Sequence, residues 1–169
     1  LITQFNSFYQ TFLTLFTVIL SVFGVMIGIL LTGQTFSIIM TGTGIVALAG
    51  IVVNNSIVFI DTYNTNIKEM NDPIEAILQT ASERLRPILL TTITTIMGLI
   101  PMATQITFDF IDRDILMGGI TSSWWVQMAT AIIFGLSFST ILTLILLPTM
   151  LALPTIIKKR VYDPGTINI

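Results

Sequence analysis

The sequence has 169 residues, of which 53% are apolar and 9% are charged, and its mean hydropathy is +0.91. Because soluble domains carry about 25% charged residues, this composition excludes an ordinary soluble enzyme and predicts a multi-pass membrane protein. The net charge of −2 and the lack of a long basic patch argue against a nucleic-acid partner. Cys and His are both missing from the sequence, which removes disulfides, thiolate metal sites and the commonest general base.

Four apolar stretches along the chain are long enough to cross a bilayer, which takes roughly 20 residues. The first two cover about 9–32 and 36–61, and the turn signal at Gly33 between them predicts an antiparallel hairpin. The third and fourth cover about 87–107 and 124–153. The predicted fold class is therefore an all-α membrane protein with four transmembrane helices.

A short amphipathic helix is predicted between the second and third spans, over about 73–85. Asp72 suits an N-cap, Pro73 suits the first helical turn, and Glu75 completes a pattern that resembles a capping box. Apolar residues then recur at helical spacing, which is typical of a helix that lies on the membrane surface. Pro87 leaves two possibilities for the third span, which either begins at this residue or continues upstream through a kink.

The basic residues are distributed unevenly over the two sides of the predicted membrane region. One side has only Arg113, and the other has the six residues Lys68, Arg84, Arg86, Lys158, Lys159 and Arg160. The positive-inside rule places the side with six basic residues in the cytoplasm. Both chain ends and the amphipathic helix are then cytoplasmic, and the loop at 109–114 faces outward.

Two groups of polar residues lie inside or beside the predicted spans. Asn54 and Asn55 interrupt the apolar second span, where amides without partners are costly. Arg84 and Thr91 are seven residues apart, which places them on one helical face if the helix is continuous. Asn54 and Thr91 both lie roughly 10 Å in from the cytoplasmic charges, and therefore at one depth. The two Asn side chains either only hold helices together or belong to a site for ion or proton passage.

Two motifs resemble the resistance-nodulation-division (RND) efflux permeases. The first is GIVVNNSIVFID at 50–61, and the second is RLRPILLTT at 84–92, followed by MGLIP at 97–101. TQFNSF at 3–8 resembles the link before the family's ninth span, and GLSFSTILTL at 135–144 resembles its last span. The match follows the family's order along nearly the whole chain, and the two central motifs together are highly specific.

This resemblance implies that residues 1–169 are the C-terminal transmembrane fragment of a longer permease, its spans nine to twelve. The fragment is then half of a larger helical repeat bundle. The family consists of proton-driven exporters of the bacterial inner membrane that form homotrimers and work with a periplasmic adaptor and an outer-membrane channel. The implied partners are therefore the remainder of the permease chain, those proteins and membrane lipids. Neither a cofactor nor a metal site nor an enzymatic activity is implied.

The resemblance also implies roles for residues inside the membrane. Thr91 matches the family's relay threonine, and Arg84 matches the arginine that supports proton access. Asn54, which Asn55 follows, stands where many drug exporters carry a lysine that pairs with two Asp residues of the fourth span. No predicted span of this chain holds an acidic pair, so the fragment is expected to be inactive alone.

Two other functions remain open from the sequence. One is a membrane subunit of a related protein-translocation or lipid-handling system, and the other is a free-standing structural four-helix membrane protein. A first residue other than Met, without a signal peptide, favours a piece of a longer protein. Paired Asp residues and two large periplasmic loops upstream would identify an exporter. The resemblance implies that the substrate is selected by domains of the permease outside these residues.

Overall fold

The computed structural model of the protein describes residues 1–5, 7–70, 72–109, 114–117 and 120–162. These residues form five helices and one two-stranded hairpin. In chain order the elements are α1 (Ile2–Phe5), α2 (Phe8–Thr32), α3 (Ile38–Glu69), α4 (Pro73–Ala103), β1 (Ile106–Asp109), β2 (Asp114–Met117) and α5 (Ile120–Tyr162).

Four of the described helices, α2 to α5, are long and apolar enough to cross a membrane. The 25 residues of α2 and the 32 residues of α3 correspond to about 38 and 48 Å of helix. Both lengths exceed the hydrocarbon core of a bilayer, which is roughly 30 Å thick. The prediction of an all-α membrane protein with four transmembrane helices is thereby confirmed.

The predicted amphipathic helix and the third span form one continuous helix, α4. Its N-cap is Asp72, whose carboxylate accepts a hydrogen bond from the Ile74 backbone N–H at 3.2 Å. Residues 73–85 are therefore the first turns of α4 and not a separate surface helix. Pro87 lies inside α4. Of the two possibilities that the sequence leaves, the third span therefore continues upstream of the proline and does not begin at it. The proline removes one backbone hydrogen bond, and burial of the neighbouring Ile88 in the core offsets part of that loss.

A short antiparallel hairpin connects α4 to α5, although the sequence pattern does not predict strands there. β1 pairs with β2 from Ile106 opposite Met117 to Asp109 opposite Asp114. The backbone at Gln105, just before β1, has a positive φ of 59°. The strands are only four residues long, so they do not change the fold class. The tip of the predicted outward loop, 110–113, lies outside the described residues.

The last helix, α5, makes more extensive contacts with the other three long helices, α2, α3 and α4, than they make with one another. Small residues allow this close packing. On α2, Gly24 and Gly28 lie four residues apart and face Phe138 and Phe134 of α5. On α5, Gly135 faces apolar side chains of α2 and α3. A Cβ atom at any of these three glycines would overlap a side chain of the neighbouring helix.

Hydrogen bonds near the helix ends show that α2 and α5 run in opposite directions. The Tyr9 hydroxyl, near the start of α2, donates to the Met150 carbonyl oxygen in the last part of α5 at 2.6 Å. The Gln34 Nε2, just after α2, donates to the Thr130 Oγ1 in the first part of α5 at 3.2 Å. The beginning of α2 and the end of α5 therefore lie at the same end of the helix group.

Two apolar clusters fill the interior between these helices. The larger one lies toward the end of the group that holds the start of α2, and it contains Leu13, Phe59, Ile60, Ile77 and Leu147 among others. The smaller one lies in the other half and consists of Val25, Leu48, Val52, Ala131 and Leu136. The larger cluster packs the first turns of α4 against α3, which fixes the polar side chains that lie beside it.

Candidate functional site

A cleft between α3 and α4 brings together all four residues that the sequence singles out. Its volume is about 140 Å³. The residues that line it are Asn54, Asn55, Val58, Arg84, Pro87, Ile88 and Thr91. Three side chains of α3 and four of α4 therefore form one site. The shared depth of Asn54 and Thr91 is what the helical spacing predicts.

The amides of Asn54 and Asn55 do not hold these helices together. Asn54 is exposed and Asn55 is half-buried. Within the described part of the chain, no hydrogen bond joins either amide to another residue. Since both lie far from the ends of a long apolar helix, their polar groups need partners other than the four helices. This arrangement argues against the interpretation in which they only join these helices.

Arg84 is oriented by a hydroxyl group on the neighbouring helix. Its Nε donates a hydrogen bond to the Oγ1 of Thr62 at 2.5 Å. The Thr62 hydroxyl in turn donates to the Val58 carbonyl oxygen at 2.9 Å. The neighbouring carboxylate of Glu83 takes its side-chain hydrogen bonds from Asn66 and Gln79, so Arg84 lines the cleft with its Nη groups available.

Four threonines of α4 lie close together, at positions 91, 92, 94 and 95. Thr91 is the one that lines the cleft. Its side chain is exposed, and its Oγ1 donates to the Ile88 carbonyl oxygen at 3.0 Å. Thr92 points the other way and is hydrogen-bonded to Thr140 of α5 at 2.8 Å. Thr95, one turn further along α4, donates to the Thr91 carbonyl oxygen at 2.7 Å and does not line the cleft. A Thr91 hydroxyl bonded only to its own helix retains lone pairs for another partner.

A second polar group lies one to two turns beyond the cleft, between the end of α3 and the start of α4. The buried Asn66 donates to the Thr80 Oγ1 at 3.0 Å and to a Glu83 carboxylate oxygen at 3.3 Å. Gln79 donates to the other oxygen of Glu83 at 2.9 Å. These bonds join the two helices beside Arg84, and they define the spacing on which the cleft depends.

Thr62 and Asn66 are the polar residues that the sequence analysis missed. They follow Asn55 on α3 by seven and eleven residues, which is the spacing of one helical face. That spacing was available in the sequence, but a threonine beyond a predicted span carries no signal of its own. No group of three or more His, Cys, Asp or Glu side chains that suits a metal ion occurs among the described residues.

The fold and the cleft define a multi-pass membrane protein with a polar site among its helices. A model of the AcrB/AcrD/AcrF family matches residues 1–155. The chain belongs to this family, and thus to the RND permease superfamily. This membership agrees with the resemblance carried by the motifs around Asn54 and Thr91.

Among curated proteins, the chain is similar to the swarming motility protein SwrC of Bacillus subtilis, with 35% identity over 166 residues. That match covers 98% of the chain and 14% of SwrC. It is also similar to the nickel and cobalt resistance protein CnrA of Cupriavidus metallidurans, with 30% identity over 141 residues. That second match covers 83% of the chain and 12% of CnrA.

Among solved structures, the chain is similar to a heavy metal efflux pump, with a TM-score of 0.72 and 32% identity. The similarity covers 95% of this chain and 14% of the pump chain. The chain therefore spans only about 12–14% of the length of these relatives.

Proposed function

We propose that this chain is the C-terminal transmembrane segment of a proton-driven efflux permease of the bacterial inner membrane. In this proposal the cleft between α3 and α4 is its contribution to the proton pathway. The observation that carries the proposal is the convergence of Asn54, Asn55, Arg84 and Thr91 on that cleft. Family membership supports an export permease over a translocation subunit or a free-standing structural protein.

The chemistry of the cleft suits a partner that accepts hydrogen bonds. The Arg84 guanidinium offers Nη donors and the two amides offer N–H groups. The Thr91 hydroxyl, whose proton goes to the Ile88 carbonyl oxygen, offers lone pairs that accept a hydrogen bond from a protonated carboxyl group. Ionisable groups inside membranes are costly unless they are paired. A carboxylate from the remainder of the permease is complementary to these groups, in agreement with the acidic pair that the resemblance implies. In its neutral form a carboxyl group at this place carries a proton. In its charged form it accepts hydrogen bonds from the donors of the cleft.

The remaining parts of the proposal concern partners and substrate. We infer that the segment works only within a complete homotrimeric permease, together with a periplasmic adaptor and an outer-membrane channel. Divalent heavy-metal ions are the first substrates to test, since relatives are named for nickel, cobalt and heavy-metal efflux or resistance. Because the described residues hold no cluster of metal-binding side chains, selection of the substrate is assigned to other parts of the permease.

Substitution of Thr91 in the complete permease tests the proposal. Thr91→Ala keeps the helix and removes the hydroxyl, whereas Thr91→Ser keeps the hydroxyl and loses one methyl. We expect Thr91→Ala to insert normally and to lose proton-coupled export by about tenfold, the effect of roughly one lost hydrogen bond. Thr91→Ser is expected to recover most of the rate. The measurement is substrate-dependent proton flux in proteoliposomes, normalised to the amount of inserted protein.

Thr94→Ala is the matched control for this experiment. Thr94 lies on the same helix, is exposed, and donates to the backbone oxygen of Leu90 at 2.8 Å. It does not line the cleft, so its replacement should leave export unchanged. Normal export by Thr91→Ala would contradict the relay role. Equal losses of activity and of inserted protein would also contradict it, since they would indicate damaged packing.

A further inference from the structure

The hydrogen bond between Arg84 and Thr62 is short, and no ion pair joins Arg84 to a carboxylate among the described residues. Thr62 is 8% exposed. Its proton is used in the bond to the Val58 carbonyl oxygen, so a lone pair of Oγ1 faces the Nε of Arg84. A donor from a charged group makes a stronger bond than a neutral donor. The bond is therefore a specific constraint on the direction of the guanidinium group.

We propose that Thr62 is a positioning residue for Arg84, and that it holds the guanidinium group in the cleft beside Asn55 and Thr91. Long basic side chains near the end of a span extend toward the adjacent water. Arg84 lies at that end of the membrane region, where Arg86, two residues further on, is exposed. Fixing the Nε to Thr62 opposes this extension and leaves both Nη groups for the cleft. The inference rests on the proposed function of Arg84 in proton passage.

The hydrogen bonds around Asn66 support this role, because they bind the carboxylate of Glu83, the residue next to Arg84. Glu83 precedes Arg84, and an ion pair between them would draw the guanidinium away from the cleft. Both oxygens of Glu83 instead accept hydrogen bonds, one from Asn66 and one from Gln79. Thr62 and Asn66 lie four residues apart on one face of α3. One face of α3 thus bonds both neighbours: Thr62 accepts from Arg84, and Asn66 donates to Glu83.

Variants of Thr62, alone and in an Arg84→Lys background, test the proposal in the complete permease. Thr62→Val keeps the shape of the side chain and removes the acceptor, so we expect proton-coupled export to fall on the order of tenfold at unchanged membrane insertion. Thr62→Ser restores the acceptor and is expected to recover most of the rate. In an Arg84→Lys background, which keeps the charge and lacks the Nε donor, Thr62→Val is expected to cause no further loss. Such non-additivity identifies residues that act through each other.

Thr65→Val is the matched control, since Thr65 lies on the same helix, is exposed, and donates only to its own backbone at Asp61. Export at the normal rate by Thr62→Val, together with a loss in Arg84→Ala, would overturn the positioning role and leave the proposed function in place. Normal export by Arg84→Ala would instead overturn the function proposed for the cleft. Failure of Thr62→Ser to recover activity, or equal losses from Thr62→Val in both backgrounds, would show that Thr62 acts only by packing.

Discussion

Asn54 presents an exposed amide at the cleft between α3 and α4, in the middle of a helix long and apolar enough to cross a membrane. It is exposed, lines the cleft, and lies one turn from Val58, whose carbonyl oxygen accepts from Thr62. If its partner belongs to the remainder of the permease, Asn54→Ala removes one interhelical hydrogen bond at the cleft. We expect proton-coupled export to fall about tenfold, measured as substrate-dependent proton flux in proteoliposomes.

Val46→Ala provides the control for Asn54→Ala. Val46 is 74% exposed on the same helix and does not line the cleft. Its truncation should leave the flux unchanged. An unchanged flux in Asn54→Ala would show that the amide has no partner in the relay. An equal reduction in both variants would point to a general effect of shortening side chains on α3.

For single residues, the sequence predicts the position of a side chain along its helix better than the hydrogen bonds that the side chain forms. Helical spacing and the apolar surroundings place Asn54 and Thr91 at one depth, and the structure has both on one cleft. The Arg84–Thr62 bond cannot be predicted in this way, because it depends on the rotation of α3 about its axis relative to α4. Periodicity predicts which residues share a face of one helix. It does not predict which side chains of the neighbouring helix that face contacts. The relay roles themselves stay predictions.

At the scale of helices, the packing of α2 on α5 depends on two glycines. A Cβ atom on Gly28 would overlap the side chain of Phe134 close to its backbone, where the side chain cannot yield. Overpacking typically costs about 1–3 kcal/mol, and the better helix propensity of Ala returns about 1 kcal/mol. We expect Gly28→Ala to lower the free energy of unfolding by about 1 kcal/mol. Fluorescence of Trp124 and Trp125 during detergent-induced unfolding in micelles measures it.

Gly50→Ala is the matched control for Gly28→Ala, because a Cβ atom on Gly50 meets nothing within 4 Å. Only the propensity gain applies there, so the free energy of unfolding should rise by up to about 1 kcal/mol. Loss of stability in Gly50→Ala and not in Gly28→Ala would contradict the packing of α2 on α5.

The continuity of α4 shows where prediction of elements from the sequence ends. Apolar periodicity predicts both parts of this helix, but Pro87 permits a break as well as a continuation. The packing of the first turns against α3 decides in favour of continuation, through buried Ala76, Ile77 and Thr80. The hairpin of β1 and β2 was not predicted, since strands of four residues give too short a pattern for alternation to be recognised.

At the scale of the whole molecule, the four spans expose one polar cleft that they do not complete. Large apolar side chains are exposed along α2 and α5, for example Phe23 and Ile145, as expected for helices that contact lipid or further helices. The cleft differs, because amides and a guanidinium group face outward there. Such a surface favours association with another part of a membrane protein. The same reasoning explains why we propose that the segment alone does not transport.

The orientation of this group in the membrane is a prediction from the basic residues. Lys68, Arg84 and Arg86 lie at one end of the helix group, in the last turn of α3 and in the first half of α4. Arg113 and the three basic side chains after residue 157 lie outside the described side chains, so their contribution comes from the sequence. The positive-inside rule places the end with Lys68 in the cytoplasm, and the turn between α2 and α3 on the opposite side.

Labelling of single cysteines tests this orientation, since the chain has no Cys of its own. Lys68 and Thr35 are both exposed and lie at opposite ends of α3. With a membrane-impermeant maleimide on intact spheroplasts, we expect Thr35→Cys to react and Lys68→Cys to react only after the membrane is permeabilised. The reverse pattern would invert the assignment and place Lys68 and Arg84 near the outer side of the membrane. Labelling of both variants on intact spheroplasts would mean that the basic residues do not determine a single topology.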